Sequence, residues 1–268
     1  MSDAPPAFDP PVDVLWTGGW DSTFRVLSLL SEGRTVRPHY LEYPGRDSVP
    51  EERAAIAEIR AGAAARGWGD RLLPLIAVST EDLDPDPEVE SRLETLQTRA
   101  YCGKQYAYLS RYALQRLGGR PLDLSVHLDD RAEFFVRPHA VPDVDGDGYA
   151  LGPSADDATR LFAPFRFPLL DLTKEEMRET SEERGFADLM KKTWFCHNPV
   201  RRSRGLAVPC GVCLPCRYSH EEGMGHRIGF TGHARRIAVD NFGPTVKGLS
   251  DLRVRLGVGT RLRALVGR

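Results

Sequence analysis

Val12-Asp13-Val14-Leu15-Trp16-Thr17-Gly18-Gly19-Trp20-Asp21-Ser22-Thr23 reads as a short buried strand, a glycine turn and the start of a helix. The apolar run is too short for a helix and is stopped by turn residues. The apolar stretch from Thr23 to Ser31 continues as a helix, and Gly33 ends it. Two adjacent glycines let the backbone turn tightly and bring its N–H groups close to a ligand. The helix N-terminus behind them adds a partial positive charge, and Ser22 and Thr23 add hydroxyls. Such a segment is a nest for phosphate or pyrophosphate. The same residues also fit an ordinary strand-to-helix turn. The loop lacks a Gly-Lys-Ser/Thr ending and is not a GxGxxG dinucleotide turn.

Outward from this segment, strands and helices alternate. Val36 to Tyr43 reads as a second strand. Ser48-Val49-Pro50-Glu51 reads as a capping box that opens a helix to about Arg66. Leu72 to Val78 reads as a third strand, and the acidic, Pro-rich residues 80–90 as a loop. A helix is expected from about Glu90 to Leu117 with a break near Gly103, then a fourth strand from Leu122 to Leu128. This alternation predicts an α/β fold with a parallel sheet and helices on its faces. Asp143 to Asp157 reads as one long loop. Its Asp143-Val144-Asp145-Gly146-Asp147 start imitates a calcium loop, but the twelfth position is Ser154 and not a bidentate Glu, so a solvated acidic turn is expected. Thr173-Lys174-Glu175-Glu176 is a second capping box, opening a helix to Arg184 that Gly185 stops.

The 268 residues divide into roughly two domains, or one large α/β domain with an appendage. Apolar residues at 41% and charged residues at 28% are enough to bury a core. The net charge of −2 excludes a broadly basic nucleic-acid coat. No transmembrane run and no signal-peptide start are present in the sequence, so a cytoplasmic protein is expected. Residues 1–11 read as a disordered lead-in, 12–172 as an α/β domain, 173–239 as a helical cysteine-bearing region and 240–268 as a basic tail. That tail carries Arg253, Arg255, Arg261 and Arg263, and it reads as solvated or subunit-contacting.

Five cysteines are unusual for a compartment where disulfides are rare. Four of them, Cys196, Cys210, Cys213 and Cys216, follow a C-x13-C-x2-C-x2-C spacing. Four thiolates at one point suit a closed, structural tetrahedral zinc site, and they also hold iron–sulfur clusters. Cys102 stands alone. Arg99 and Lys104 beside it would lower a thiol pKa, whereas a lone cysteine also serves as a small buried hydrophobe.

Thr17-Gly18-Gly19-Trp20-Asp21-Ser22 resembles the Ser-Gly-Gly-x-Asp-Ser signature of the PP-loop ATP pyrophosphatases, with Thr17 in place of the first Ser. Phe167-Pro168-Leu169-Leu170-Asp171-Leu172-Thr173-Lys174, Thr193-Trp194-Phe195-Cys196 and Cys210-Gly211-Val212-Cys213-Leu214-Pro215-Cys216 are similar to the C-terminal half of the 7-cyano-7-deazaguanine synthase family. Leu41 to Arg46, Thr98-Arg99 and Leu128 to Phe134 match that family's middle motifs more loosely, and the spacer between Cys196 and Cys210 is longer.

The resemblance implies a PP-loop, Rossmann-like nucleotide-binding sheet of the adenine nucleotide alpha hydrolase type and an ATP-dependent carbon–nitrogen ligase. In such enzymes a carboxylate attacks the ATP α-phosphate, pyrophosphate leaves, and ammonia converts the acyl-adenylate to an amide and then a nitrile. On this reading Asp21, Ser22 and Lys174 are catalytic, and Thr17, Gly18, Gly19, Asp21, Ser22, Thr23 and Tyr43 bind the nucleotide. Lys174 would reach phosphate, and Asp21 would orient the loop or hold Mg²⁺ through water. Arg99, Asp129, Asp130 and Arg131 are candidates for contacts to 7-carboxy-7-deazaguanine or a related acid. One structural Zn²⁺ per chain would sit on Cys196, Cys210, Cys213 and Cys216 and hold the C-terminal segment over the site. The partners implied are a small-molecule acid and ammonia, with a homodimer left open and neither membrane nor nucleic acid expected. Three other readings remain open. They are a paralogue acting on another acid, amide or protein, an RNA-thiolating enzyme, and a nucleotide-binding protein without turnover.

Overall fold

The computed structural model describes residues 10–201 and 207–241. Most of the expected lead-in, Arg202 and Arg204 of the cysteine spacer, and the tail beyond residue 241 lie outside the described residues. The chain divides into two compact units, Met1–Phe195 and Cys196–Arg268.

The first unit is an α/β fold. Strands β1 (Val12–Leu15), β2 (Val36–Glu42), β3 (Ile76–Ser79), β4 (Leu122–Asp123), β5 (Ala140–Pro142), β6 (Tyr149–Leu151) and β7 (Phe165–Phe167) form one sheet in the order β3-β2-β1-β4-β7-β6-β5. The first five in that order pair in parallel; β6 and β5 add an antiparallel edge. Helices α1 (Trp20–Ser31), α2 (Val49–Ala65), α3 (Pro87–Arg99), α4 (Gln105–Arg116), α5 (Glu133–Val136), α6 (Lys174–Glu183) and α7 (Ala187–Met190) complete the unit. The strand alternation sorts the core. Val12, Val14 and Trp16 face one apolar cluster with Leu27, Ile56, Ile59 and Phe186. Leu15 and Leu41 face the other, with Leu93, Leu109, Tyr112 and Phe162. Apolar side chains on both faces are what a parallel sheet covered by helices requires. Among the described residues no helix is long and apolar enough to cross a membrane.

The structure corrects several expectations. Ser48 does not cap α2, because its hydroxyl donates to the Glu52 side chain at 2.6 Å. The break expected near Gly103 is present and separates α3 from α4, but α3 starts earlier than expected, at Pro87 on an Asp86 cap, and the chain leaves helical geometry at Ala100. The third strand begins at Ile76, with Leu72 making only an isolated bridge to Val36. The fourth is regular over two residues only, although Leu124 N–H still donates to the Arg166 carbonyl at 2.8 Å. The start of the long acidic loop is the turn of a hairpin, β5–β6, with β6 inside the expected loop, and it is not simply solvated. Its Asp147 accepts from Arg25 at 2.5 Å, and Asp145 lies 3.4 Å from Arg166. Arg25 and Arg166 both donate to the fully buried Asp123, each at 2.8 Å. Arg25 and Arg166 thus take carboxylates of the imitated calcium loop as ion-pair partners, where a calcium ion would need them as ligands.

In the second unit β8 (Val200–Arg201) and β9 (Ala207–Val208) form an antiparallel pair, followed by α8 (Leu214–Glu221).

Candidate functional site

The glycine loop sits at the carboxyl end of β1. The strands flanking β1 are β2 on one side and β4 on the other, so the chain's path reverses there. A crevice outside the carboxyl ends of strands at such a switch is where open α/β sheets bind ligands. Gly18 adopts φ +73°, and a Cβ there would lie 2.9 Å from the Glu52 carbonyl oxygen and 3.2 Å from Ile56 Cγ1. Only glycine combines that φ with that approach. The Gly18 carbonyl accepts from Trp194 N–H at 2.8 Å, which fixes the turn from above. Below it, Thr17 N–H donates to Ser22 Oγ at 3.2 Å and Gly19 N–H donates to Thr17 Oγ1 at 3.3 Å. No side chain caps α1, whose N-cap is Gly19, so the positive end of the helix opens onto the loop.

Thr23 departs from the expectation. Its side chain is buried and its hydroxyl accepts from the Trp16 indole at 2.9 Å, while its N–H donates to the Gly19 carbonyl. It therefore ties α1 to β1, and its hydroxyl is buried against Trp16 in the interior. Thr17 and Ser22 supply the loop's hydroxyls.

Lys174 comes to the loop from a distant part of the sequence. The capping box forms as expected, with Thr173 Oγ1 accepting from Glu176 N–H at 3.2 Å. Leu128 N–H donates to the Leu172 carbonyl at 3.0 Å, which joins the segment after β4 to the start of α6. Lys174 Nζ lies 3.8 Å from Asp21 Oδ1, an oxygen that is buried without a hydrogen-bond donor. Asp130 shares this neighbourhood. Burial pushes its carboxyl pKa up, against the Ala132 N–H, which donates to its Oδ1 at 2.7 Å; Asp21 and Lys174 act on it electrostatically. Asp129 is exposed beside it, and its N–H donates to His127 Nδ1 at 3.2 Å. One cation and two carboxylates thus gather at the carboxyl ends of β1 and β4. A divalent ion needs oxygen ligands, and Asp21 Oδ1 could serve as one.

The remaining expected contacts are more dispersed. Tyr43 is 47% exposed at the end of β2 and stacks on Tyr108, with ring centroids 6.0 Å apart. Arg131 lies over the ring of the exposed Tyr101 at 5.0 Å. Arg99 pairs with Asp156 at 2.6 Å and is engaged away from the loop. Cys102 is buried in the core, and burial pushes its thiol up to about 12, which overrides any effect of nearby cations and leaves no thiolate for catalysis. Glu52, absent from the expected site, lies directly behind Gly18. Its signal in the sequence is a carboxylate on the otherwise apolar stripe Ala55, Ile56, Ile59 and Ala63 of α2.

In the second unit the ligand atoms of Cys196, Cys210, Cys213 and Cys216 lie within 4.8 Å of one another, and all four are free thiols. The Sγ separations of 3.8 Å (Cys196–Cys213), 3.9 Å (Cys210–Cys216) and 3.4 Å (Cys213–Cys216) match a tetrahedron. Four sulfurs each about 2.3 Å from a central zinc stand about 3.8 Å apart. Backbone N–H groups of Cys210 and Cys213 donate to sulfur at 3.1 and 3.2 Å, as thiolates require. Gly211 makes that turn at φ +78°, where a Cβ would meet the Gly232 carbonyl at 2.0 Å. The residues fit a metal ion.

No family model and no curated protein matches the chain. Among solved structures it is similar to the NMN synthetase from Francisella tularensis, at 12% identity and a TM-score of 0.37, over 67% of this chain and 64% of that one. It is also similar to the glutamine-dependent NAD+ synthetase from Acinetobacter baumannii in complex with adenosine diphosphate, at 14% identity and 0.36, over 66% of this chain. A third is a predicted subunit of tRNA methyltransferase from Methanocaldococcus jannaschii, at 17% identity and 0.36, over 80% of this chain and 88% of that one. The chain spans 64% and 29% of the length of the first two.

Proposed function

We propose that this chain is an ATP-dependent ligase of the PP-loop type that activates a carboxylic acid for amide formation. A carboxylate oxygen attacks the α-phosphorus, the bond from that phosphorus to the β-phosphate bridging oxygen breaks, and pyrophosphate leaves onto the Thr17–Ser22 loop. Ammonia then attacks the acyl carbon, AMP departs with the bonding pair, and a proton is lost to give the amide. The amide oxygen then attacks the α-phosphorus of a second ATP and pyrophosphate leaves; the nitrogen loses its two protons, the C–O bond breaks with AMP taking the bonding pair, and the nitrile forms.

The observation that carries this reading is the meeting of Lys174 and Asp21 at the uncapped start of α1, beside a turn that only Gly18 can make. The leaving pyrophosphate needs fixed positive potential, and an ammonium with a helix N-terminus supplies it without reorganisation. Mg²⁺ held at Asp21 would neutralise phosphate charge. Tyr43, stacked on Tyr108, offers a flat face to adenine. Asp129, Asp130 and Arg131 border the acid. A metal on the four cysteines would stabilise the second unit's fold; zinc suits that role.

7-Carboxy-7-deazaguanine is the acid that the sequence resemblance favours. A different acid is the second reading, favoured by the engagement of Arg99 with Asp156. Incubation with ATP, Mg²⁺, ammonia and 7-carboxy-7-deazaguanine, with mass analysis, separates them. Amide or nitrile with AMP supports the first reading. AMP formation only with other acids in a panel supports the second. No AMP with any acid overturns the proposal.

A further inference from the structure

We infer that Glu52 is a positioning residue that holds the glycine loop and the Tyr43–Tyr108 stack in one fixed arrangement. Its consequence for nucleotide binding rests on the ATP-activation reading; the coupling itself does not. Glu52 is 4% exposed on the apolar face of α2. A carboxylate there is strongly unfavourable unless it is fully hydrogen-bonded.

Its partners come from consecutive parts of the β2–α2 connection. Tyr40, within β2, donates its hydroxyl to Oε2 at 2.8 Å. Ser48, just before α2, donates to Oε1 at 2.6 Å. Arg46, between them, donates to the same oxygen at 3.4 Å. The second Arg46 amino group donates to the Tyr108 hydroxyl at 3.2 Å, and Tyr108 carries the stacked Tyr43. One carboxylate therefore closes the 43–48 turn onto the first turn of α2 and aims the aromatic pair. The backbone carbonyl of the same residue stands where a Cβ of Gly18 would go, at 2.9 Å.

A residue needed only for packing would be a Leu or Met of similar size, and neither could hold Arg46. The two structures that Glu52 touches end adjacent parallel strands, with Leu15 in register with His39. The carboxylate thus sets the separation between a phosphate site after β1 and a base platform after β2.

The test uses the full chain. Backbone amide exchange without nucleotide is followed at 17–19 and 43–48 in the wild type, Glu52→Ala and Glu52→Gln. Glu52→Ala is expected to speed exchange at both segments by at least about tenfold. Its KM for ATP should rise about 10- to 100-fold with kcat within about threefold. Glu52→Gln keeps one oxygen to accept from Ser48 and Arg46 and presents its amide N–H to the Tyr40 hydroxyl, which can accept it, and should recover most of the KM. Should Glu52→Ala fail to fold, Arg46→Met carries the test, with faster exchange at 43–48 and a raised KM. Faster exchange at one segment only in Glu52→Ala, or an unchanged KM when both loosen, overturns the inference. A wild type that does not use ATP defeats the functional reading alone, because the exchange data still decide the coupling.

Discussion

Replacing Gly18 by Ala should harm the protein more than replacing another glycine of the same backbone conformation. Gly18 and Gly33 have φ of +73° and +79°. Any L-residue at either position carries the left-handed penalty of about 1–2 kcal/mol. At Gly33 a Cβ meets nothing within 4 Å, so that penalty is the whole cost. At Gly18 the Cβ would come to 2.9 Å from a backbone carbonyl and 3.2 Å from Ile56 Cγ1. The carbonyl belongs to the first turn of α2 and cannot rotate away as a side chain can. Forced overpacking of this kind adds about 1–3 kcal/mol. Gly18→Ala should therefore cost about 2–5 kcal/mol and Gly33→Ala about 1–2 kcal/mol. Urea unfolding of the three proteins gives both values from midpoint and slope. Pyrophosphate release from ATP should fall at least about tenfold in Gly18→Ala and hold in Gly33→Ala. Equal destabilisation by the two substitutions would refute the reasoning, because it would mean that the carbonyl does not restrict the loop.

Asp13 is buried, and burial raises its pKa, but hydrogen bonds from His39, Arg120 and Arg37 outweigh that and bring it from 3.8 to about 2. Its contribution, about 2 kcal/mol, is complete above pH 4 and disappears as pH falls through 2; Asp13→Asn should lower stability at pH 6 and flatten the acid limb of a pH-dependent unfolding curve. Asp123→Ala leaves Arg25 and Arg166 facing each other in the interior and should destabilise by about 3–5 kcal/mol in the same assay. Cys213→Ser should reduce bound metal, measured by elemental analysis, from about one ion per chain to a small fraction, whereas Cys102→Ser leaves it unchanged. Cys102 should also resist iodoacetamide at pH 8 until the chain unfolds, as read by mass spectrometry.

The parts of the fold legible in the sequence are those fixed by local chemistry. The Val12–Trp16 run, the paired glycines and the Thr173–Glu176 box each specify an element within a few residues. Strands β5, β6 and β7 were not legible, because three-residue segments such as Phe165–Phe167 carry no periodicity and gain their order from neighbours. The acidic loop misled for a related reason. Its carboxylates match Arg25 and Arg166, and nothing local reveals a partner more than a hundred residues earlier in the chain. Thr23 and Glu52 exchange roles for the same cause. A hydroxyl beside the glycine loop turned inward to Trp16, and a carboxylate on an apolar stripe turned out to stand behind the loop. The cysteine spacing, by contrast, could be read directly because its four ligands lie close in sequence.

The central claim is that Asp21 and Lys174 at the glycine loop serve an acyl-adenylation. ATP–pyrophosphate exchange with labelled pyrophosphate tests it most directly. The account predicts exchange that depends on an added carboxylic acid and on Mg²⁺. It should fall about 10²- to 10³-fold in Lys174→Ala and in Asp21→Ala, with unfolding midpoints close to the wild type. Release of ADP and phosphate instead of AMP and pyrophosphate, or exchange at the wild-type rate in either variant, would contradict it.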